Sequence, residues 1–486
     1  MGASILERYS KFFDKIKSFA NKLNNWITSK RILYLISNYE ADGIAATSIL
    51  IRLIYALRGR FHLRFVDFID YYWINNFVNE FSSKLDKGFF VFIDNGAFVL
   101  HYLQKNFPAD RVLVLDHKPK NPKNGHHNIL YIDLEDMGIN GAFEISSSVL
   151  TYLIAKQISN NNDELESSDF IKEIAPFAVI GALGAKQDVG AKHSLIEINK
   201  LVLDECINMG LIEEVRDLRL FRKDQPISIS LTETFDPFLI GLTNNKRNVN
   251  EFLLKLDIPP SISVNDLDIQ KKSELNSELI KHLINPKDST GTNYILTKEI
   301  EKSYLKDARL FSIILNVCGI MGSPNIGLEI CLGDRGAQLK KASEILEDYR
   351  NLLTEGLDHV STPDNILETS LIQCVMINDM LDEKMVIPVL TTALNCHILN
   401  PEKIPIGAVE LENDMIALYA FVYYRENNIK DYNIWEALRL TNKKLKIDTK
   451  TIGNKMKSRV LIPKETDLSL YLDTLDEMFK KQISES

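Results

Sequence analysis

A chain of 486 residues, 45% apolar and 25% charged, is long enough for two or three domains with cores of their own and has an ordinary globular composition. Its net charge of −9 excludes a global basic field, so any contact with nucleic acid must use a local patch. Five scattered cysteines with no CxxC pair argue against a zinc site and fit a reducing compartment. No apolar run approaches the roughly 18–20 residues of a membrane span. The N-terminal MGASILERYSKFF has no cleavable hydrophobic segment, so a cytoplasmic location without membrane contact is expected.

Residues 4–28 place Ile5, Phe12, Ile16, Phe19, Leu23 and Trp26 at helical spacing, which predicts an amphipathic lead-in helix. From Arg31 to about Leu183 the pattern alternates. Strands are predicted at 31–37, 63–69, 89–94, 111–116 and 128–133, and helices near 43–57, 74–86, 98–106, 141–158 and 168–183. That alternation predicts a right-handed parallel α/β sheet. Residues 190–310 read as largely helical, with an extended piece at 225–247. A long helix over 338–360 runs to a linker at Ser361–Asp364. In the last 120 residues, strand-like runs (QCVMIN, MVIPVLTTAL, IPIGAVEL, ALYAFVYY, SRVLIP) alternate with helical ones, so a separate α/β domain is expected. The domain plan is 1–30, 31–360 and 365–486.

Three predicted strands stop on acidic residues: RILYLISN runs into Glu40 and Asp42, KGFFVFID ends on Asp94, and VLVLDHKPK delivers Asp116, His117 and Lys118. In a parallel sheet the strand C-termini share one edge, where ligands bind. Each stop alone reads more readily as a loop residue capping a helix N-terminus. Three in order favour a shared cluster suited to hard divalent cations such as Mn²⁺ or Mg²⁺, with Asp94 central. A pair of such ions can activate water against a phosphodiester.

The stretches SNYEADGIAA, FIDNGA, LDHKPK and GALGAKQDVG, in this order, resemble the four motifs of the DHH phosphoesterase superfamily, and within it the archaeal RecJ-like proteins. The likeness continues through TFDPFLIGLTNN, LNVCGIMG and GLEICLGDRGAQLKKASEILEDYR. It implies a parallel-sheet DHH domain with a helical insertion, followed by a smaller α/β DHHA1-type domain that faces it across a cleft. It also implies metal ligation by Glu40, Asp42, Asp94 and His117, with Asp116, His117 and Lys118 as the counterpart of the name-giving triplet.

The departures from the family pattern are as informative. Asn38 stands where the family has a metal-binding His, Lys118 replaces the second His of the triplet, and Ala185 stands where the fourth motif has an Asp. Asp188 is a candidate substitute ligand. The C-terminal glycine-histidine motif is reduced to Ile452-Gly453-Asn454-Lys455. Each implied metal site thus lacks a ligand, which points to a nuclease that has lost its activity. Over 443–459, KKLKIDTKTIGNKMKSR sets seven Lys/Arg against one Asp, and Lys443, Lys444, Lys446, Lys455, Lys457 and Arg459 are candidate phosphate contacts. The bland alternative is a solvated basic face. A second basic loop runs from Lys118 to His126-His127, and Tyr71-Tyr72-Trp73 reads as a helix start more readily than as a base-stacking surface.

By resemblance to the RecJ-fold subunit of the CMG replicative helicase, the chain is expected to be a DNA-replication factor. It would bind GINS, with it MCM, and single-stranded DNA. The rival is a Mn²⁺-dependent single-strand exonuclease using Glu40, Asp42, Asp94 and His117, with Asp188 or water completing the shell.

Overall fold

The computed structural model describes residues 7–120, 129–377, 381–412, 414–423, 432–453 and 455–485. The second half of the basic loop, with His126 and His127, lies outside the described residues. Two compact units are formed. The first comprises the described residues up to Ser230 together with Ile258–Asn276 and Lys287–Leu346, and the second comprises Leu231–Asp257, Ser277–Pro286 and the described residues from Glu347 on.

The first unit is built on five parallel strands, β1 (Ile32–Asn38), β2 (Arg60–Val66), β3 (Phe89–Ile93), β4 (Val112–Leu115) and β5 (Leu130–Tyr131), in the order β2-β1-β3-β4-β5. β3 and β4 are buried along their whole length, as continuous apolar runs covered on both faces should be. The edge strand β2, with Arg60, His62 and Arg64 alternating along it, is only partly buried. It lies three residues earlier than the sequence pattern predicts. Its pairing with β1 runs from Ile32↔Arg60 to Asn38↔Val66, so the two strands end together. Asp70 is thereby left outside the strand to cap the helix Tyr71–Glu80, accepting from the Trp73 N–H at 2.7 Å.

On one face, Tyr34, Ile36, Phe90, Phe92, Val112 and Val114 pack against Ile74, Phe77, Leu100 and Leu103. On the other, the helices Ala41–Ala56, Ser147–Ser159 and Phe170–Gly184 pack on one another. The last of these tolerates Pro176 in its second turn. The helix predicted from 141 begins instead at Ser147, where Ser146 caps it by accepting from the Val149 N–H at 3.2 Å. The lead-in helix Ser10–Thr28 buries Phe12, Ile16, Phe19, Leu23 and Trp26, and Trp26 stacks on Phe89.

Within 190–310 the structure adds a two-stranded antiparallel sheet, β6 (Ile212–Leu218) with β7 (Thr290–Leu296). The piece predicted as extended contains a helix, Ile227–Glu233. Ile227 and Leu231 lie one turn apart there, both fully buried, and helical spacing overrides the local β-branched composition.

The second unit carries a six-stranded sheet of β8 (Ile366–Glu368), β9 (Ile372–Ile377), β10 (Ile404–Leu411), β11 (Met415–Phe421), β12 (Thr451–Gly453) and β13 (Lys457–Pro463), ordered β12-β13-β11-β10-β9-β8. β9 and β10 are parallel and the remaining pairs antiparallel. The run MVIPVLTTAL, predicted as a strand, is the helix Val386–Asn395. Its buried residues Val386, Val389, Leu390, Ala393 and Leu394 recur at helical spacing.

Asp476, on the C-terminal helix, accepts hydrogen bonds from the Ser370 hydroxyl, the Thr369 hydroxyl and the Leu371 N–H, and pairs with Lys480 at 2.7 Å. Burial opposes its ionisation, but these donors outweigh burial and bring the carboxyl down to about 2. Because the folded value lies below the unfolded one, the stabilisation is present above about pH 4 and is lost as pH falls through 2. Asp476→Asn is therefore expected to cost about 2 kcal/mol at pH 7, with the difference from wild type closing near pH 2. Denaturant melts at the two pH values check this, and a gap that persists at low pH contradicts it. No helix among the described residues is long and apolar enough to cross a membrane.

Candidate functional site

The strand order itself marks a place. The chain adds β2 on one side of β1, then crosses to place β3 on the other, so a crevice opens between the C-terminal ends of β1 and β3. Asn38 ends β1 with Glu40 and Asp42 just beyond it, and Asp94 follows β3, so these residues stand at that switch point. Their neighbour is the loop after β4, which carries Asp116, His117 and Lys118.

Asp42 lies in the first turn of the helix Ala41–Ala56 and is buried. Its Oδ2 accepts from the Ser147 N–H at 2.7 Å and its Oδ1 from the Ser148 N–H at 2.9 Å, so it holds the N-terminus of the Ser147 helix. Burial and the Asp94 carboxylate push its pKa up. Asp94 sits in the left-handed region at φ 52°, a conformation that costs a β-substituted residue about 1 kcal/mol. Its Oδ1 accepts from the Ser147 hydroxyl at 3.0 Å and from Lys118 Nζ at 2.8 Å, and its backbone carbonyl accepts from the same Nζ at 2.9 Å.

One ammonium thus caps two oxygens of the residue that stands at the centre of the cluster. Burial opposes both charges, yet the Lys118–Asp94 attraction outweighs it. Asp94 is held below the usual carboxylate range, and Lys118 is pushed above its own.

Asp116 takes a different part. Its Oδ2 accepts from the Ala97 N–H at 3.0 Å and its Oδ1 from the Lys118 N–H at 3.1 Å, so it ties the loop after β3 to the loop after β4. His117 Nδ1 lies 2.6 Å from the Gly141 carbonyl, which fixes the ring with Nε2 3.5 Å from Asp94 Oδ1 and 3.7 Å from Asp42 Oδ2. Burial works against the imidazolium, but the two carboxylates prevail and the His117 pKa is raised.

Ligand atoms of Asp42, Asp94 and His117 lie within 4.8 Å of one another, and Glu40 and Asp188 are not part of that group. The Asn38 side chain accepts from the Glu40 N–H at 3.0 Å and serves the turn. Ala185 follows the helix Phe170–Gly184 and offers no donor atom. The Asp188 carboxylate pairs with Arg219 at 3.7 Å. Two carboxylates and an imidazole suit one hard divalent cation by type. They do not make up a two-ion centre, because Asp94 already carries the Lys118 ammonium and neither Glu40 nor Asp188 joins the group.

Three contributors escaped the sequence reading. Ser147 links Asp42, Asp94 and the His117 N–H, the last at 3.3 Å from its hydroxyl. Gln187 is fully buried. Its Nε2 lies 2.9 Å from the Gly141 carbonyl and 3.3 Å from His117 Nδ1, while its Oε1 accepts from Asn199 at 2.6 Å. Asn316 accepts from the Ala41 N–H at 2.7 Å and donates to the Gly184 carbonyl at 3.2 Å. A single amide in the apolar run FSIILNVCGI was the one visible signal for it.

The run 443–459 lies in the second unit, on the end of the helix Ile434–Leu445 and on β12 and β13. Lys443 and Lys446 are exposed. Lys444 is paired with Glu477 at 2.5 Å, and Arg459 with Glu383 at 3.0 Å while lying over the Tyr419 ring. Lys455 and Lys457 are partly buried there, and Asn454 lies outside the described residues. In the first unit, Lys120 pairs with Asp133. Tyr71, Tyr72 and Trp73 open a helix, with Trp73 stacked on Phe77 at 4.9 Å.

No family model matches the chain. An uncharacterised protein of Methanocaldococcus jannaschii is 24% identical over 355 residues, spanning 72% of this chain and 75% of that protein. CDC45 from Entamoeba histolytica superposes with a TM-score of 0.68 at 14% identity, covering 96% of this chain and 99% of its own. RecJ from Thermus thermophilus, in complex with Mn²⁺, superposes at 0.54 with 12% identity, covering 97% of this chain and 55% of its own. At these identities the likeness is one of fold.

Proposed function

Given that the chain has a RecJ-like DHH fold, we propose that it is a DNA-replication factor without efficient nuclease activity, a binding member of an assembly with GINS and MCM that also takes single-stranded DNA. One observation carries this reading: the Lys118 ammonium lies 2.8 Å from Asp94 Oδ1, on the carboxylate that a pair of metal ions would have to share. A cation covalently attached to the loop supplies the counter-charge that an ion otherwise supplies, and it brings no bound water to act as nucleophile. The substitutions Asn38 and Ala185 remove outer ligands as well. The likeness to CDC45 over nearly the full length of both chains supports the same assignment. For the nucleic-acid part, the exposed Lys443 and Lys446 are the contacts of choice within the basic run.

The retained group of Asp42, Asp94 and His117 favours a second reading, a single-strand exonuclease dependent on Mn²⁺. An assay on end-labelled single-stranded DNA with MnCl₂ separates the two. The expected result is no degradation by wild type. Degradation by wild type that Asp94→Ala abolishes overturns the assignment. Co-elution with purified GINS in gel filtration tests the partner.

A further inference from the structure

A second site lies away from the acidic cluster, in the same unit. A cavity of about 270 Å³ opens beside the β6–β7 sheet and the helix Ile269–Leu279, and Lys192, Arg216 and Lys272 line it with Thr290 at its edge. Lys192 and Arg216 are exposed and form no ion pair with the described residues. The one carboxylate in the lining, Asp217, is taken by Lys223 at 3.0 Å. Lys223, the Leu218 N–H and, last, Lys272 overcome the burial of Asp217 and hold its pKa down. The nearby Asp288 is shared between His193 at 3.2 Å and Arg219 at 3.8 Å. Three cationic side chains therefore converge on one concavity whose anionic group is already neutralised, in a protein with a net charge of −9.

The backbone on one side is fixed at some cost. Lys192 and His193 are consecutive left-handed residues, both at φ 57°. For β-substituted residues this costs about 1 kcal/mol each and persists only where the surroundings impose it. The imposing contacts run to β7: the Lys192 carbonyl accepts from the Thr292 N–H at 2.8 Å and from its hydroxyl at 3.0 Å. The same loop begins at Gln187 and Asp188, so the segment that supports His117 also supplies this cavity with Lys192.

We propose that this cavity is a phosphate-binding site, and that its ligand is the phosphodiester backbone of single-stranded nucleic acid. The second half of the statement rests on the functional reading above, and the first does not. Lys192, Arg216 and Lys272 supply the charge, Arg216 can bond two phosphate oxygens at once, and the Thr290 hydroxyl adds a neutral donor. The cavity holds the volume of about nine waters, enough for a phosphate with its hydration, and no aromatic lining restricts which base follows.

The test uses the full chain, wild type and the triple variant Lys192→Gln, Arg216→Gln, Lys272→Gln, with a labelled oligothymidylate and tripolyphosphate as probes. Lys192 and Arg216 are exposed and Lys272 only partly buried, so circular dichroism should be unchanged. The expected result is a loss of oligonucleotide affinity of about 10-fold or more, with the slope of log affinity against log salt shallower by about 0.7, the value for one single-strand phosphate contact. Oligonucleotide binding that the triple variant leaves intact overturns the site while leaving the functional reading standing. A wild type that ignores the oligonucleotide but is thermally stabilised by tripolyphosphate, with the variant insensitive, keeps the phosphate site and overturns its nucleic-acid source. Indifference of wild type to both probes overturns the whole proposal.

Discussion

Lys118→Met is expected to destabilise the protein by about 2 kcal/mol in metal-free buffer, and Mn²⁺ is expected to restore most of that loss. The substitution keeps the stem and removes the ammonium, leaving Asp94 buried at 2% side-chain exposure against Asp42, with only the His117 ring, 3.5 Å from its Oδ1, to offset the charge. Breaking a fully buried pair from one side costs about 3–5 kcal/mol. The Lys118 side chain is 37% exposed, so water already screens part of the attraction and the expected cost falls below that range, to about 2 kcal/mol.

With the ammonium gone, Asp42, Asp94 and His117 are free to take one divalent ion. An ion at a hundred times its dissociation constant adds about 2.7 kcal/mol. Wild type should show no comparable gain, because its own cation occupies the carboxylate. Thermal melts of both proteins with and without MnCl₂ decide the matter. A variant as stable as wild type, or a wild type stabilised by Mn²⁺ to the same degree, would falsify the view that Lys118 replaces a metal.

Gly141→Ala should be severely damaging for a single added methyl, with a loss of more than about 4 kcal/mol and little folded protein recovered. A β-carbon at 141 would lie 1.8 Å from the His117 carbonyl oxygen, a backbone atom that cannot move aside without breaking the loop after β4. The Gly141 carbonyl is also the group that orients His117 Nδ1 and receives the Gln187 amide. Gly138→Ala, three residues earlier, is the control. Nothing lies within 4 Å of its β-carbon, and only the backbone angle of φ +70° opposes it. That angle is worth about 1 kcal/mol. Urea melts of the two variants should differ several-fold in their effect, and equal effects would mean that the close approach at 141 is relieved by a backbone shift.

Much of the architecture is legible in local pattern. The apolar runs FFVFI and VLVL, alternating with helical stretches, are enough to predict a parallel sheet, because a strand covered on both faces needs no polar side. Asp94 and Asp116 at the ends of two such runs are equally legible, since strand termini of a parallel sheet share an edge. Local pattern misleads where burial is nearly uniform. MVIPVLTTAL carries so many apolar residues that period 2 and period 3.6 both fit, and only its packing against the second sheet selects the helix.

The sequence by itself therefore determined a parallel α/β domain with acidic strand ends and a second α/β domain. Only the tertiary structure decided what the remaining groups do to one another. Asp42 finds its donors 105 and 106 residues away, at the start of the Ser147 helix, and Gln187 reaches His117 across 70 residues. The spacing of residues along a strand or helix fixes which face each occupies, but not which charge it meets once distant loops close on it. Whether Lys118 extends into solvent or folds back on Asp94 depends on the field of carboxylates that three separate loops assemble, and that field exists only in the folded chain.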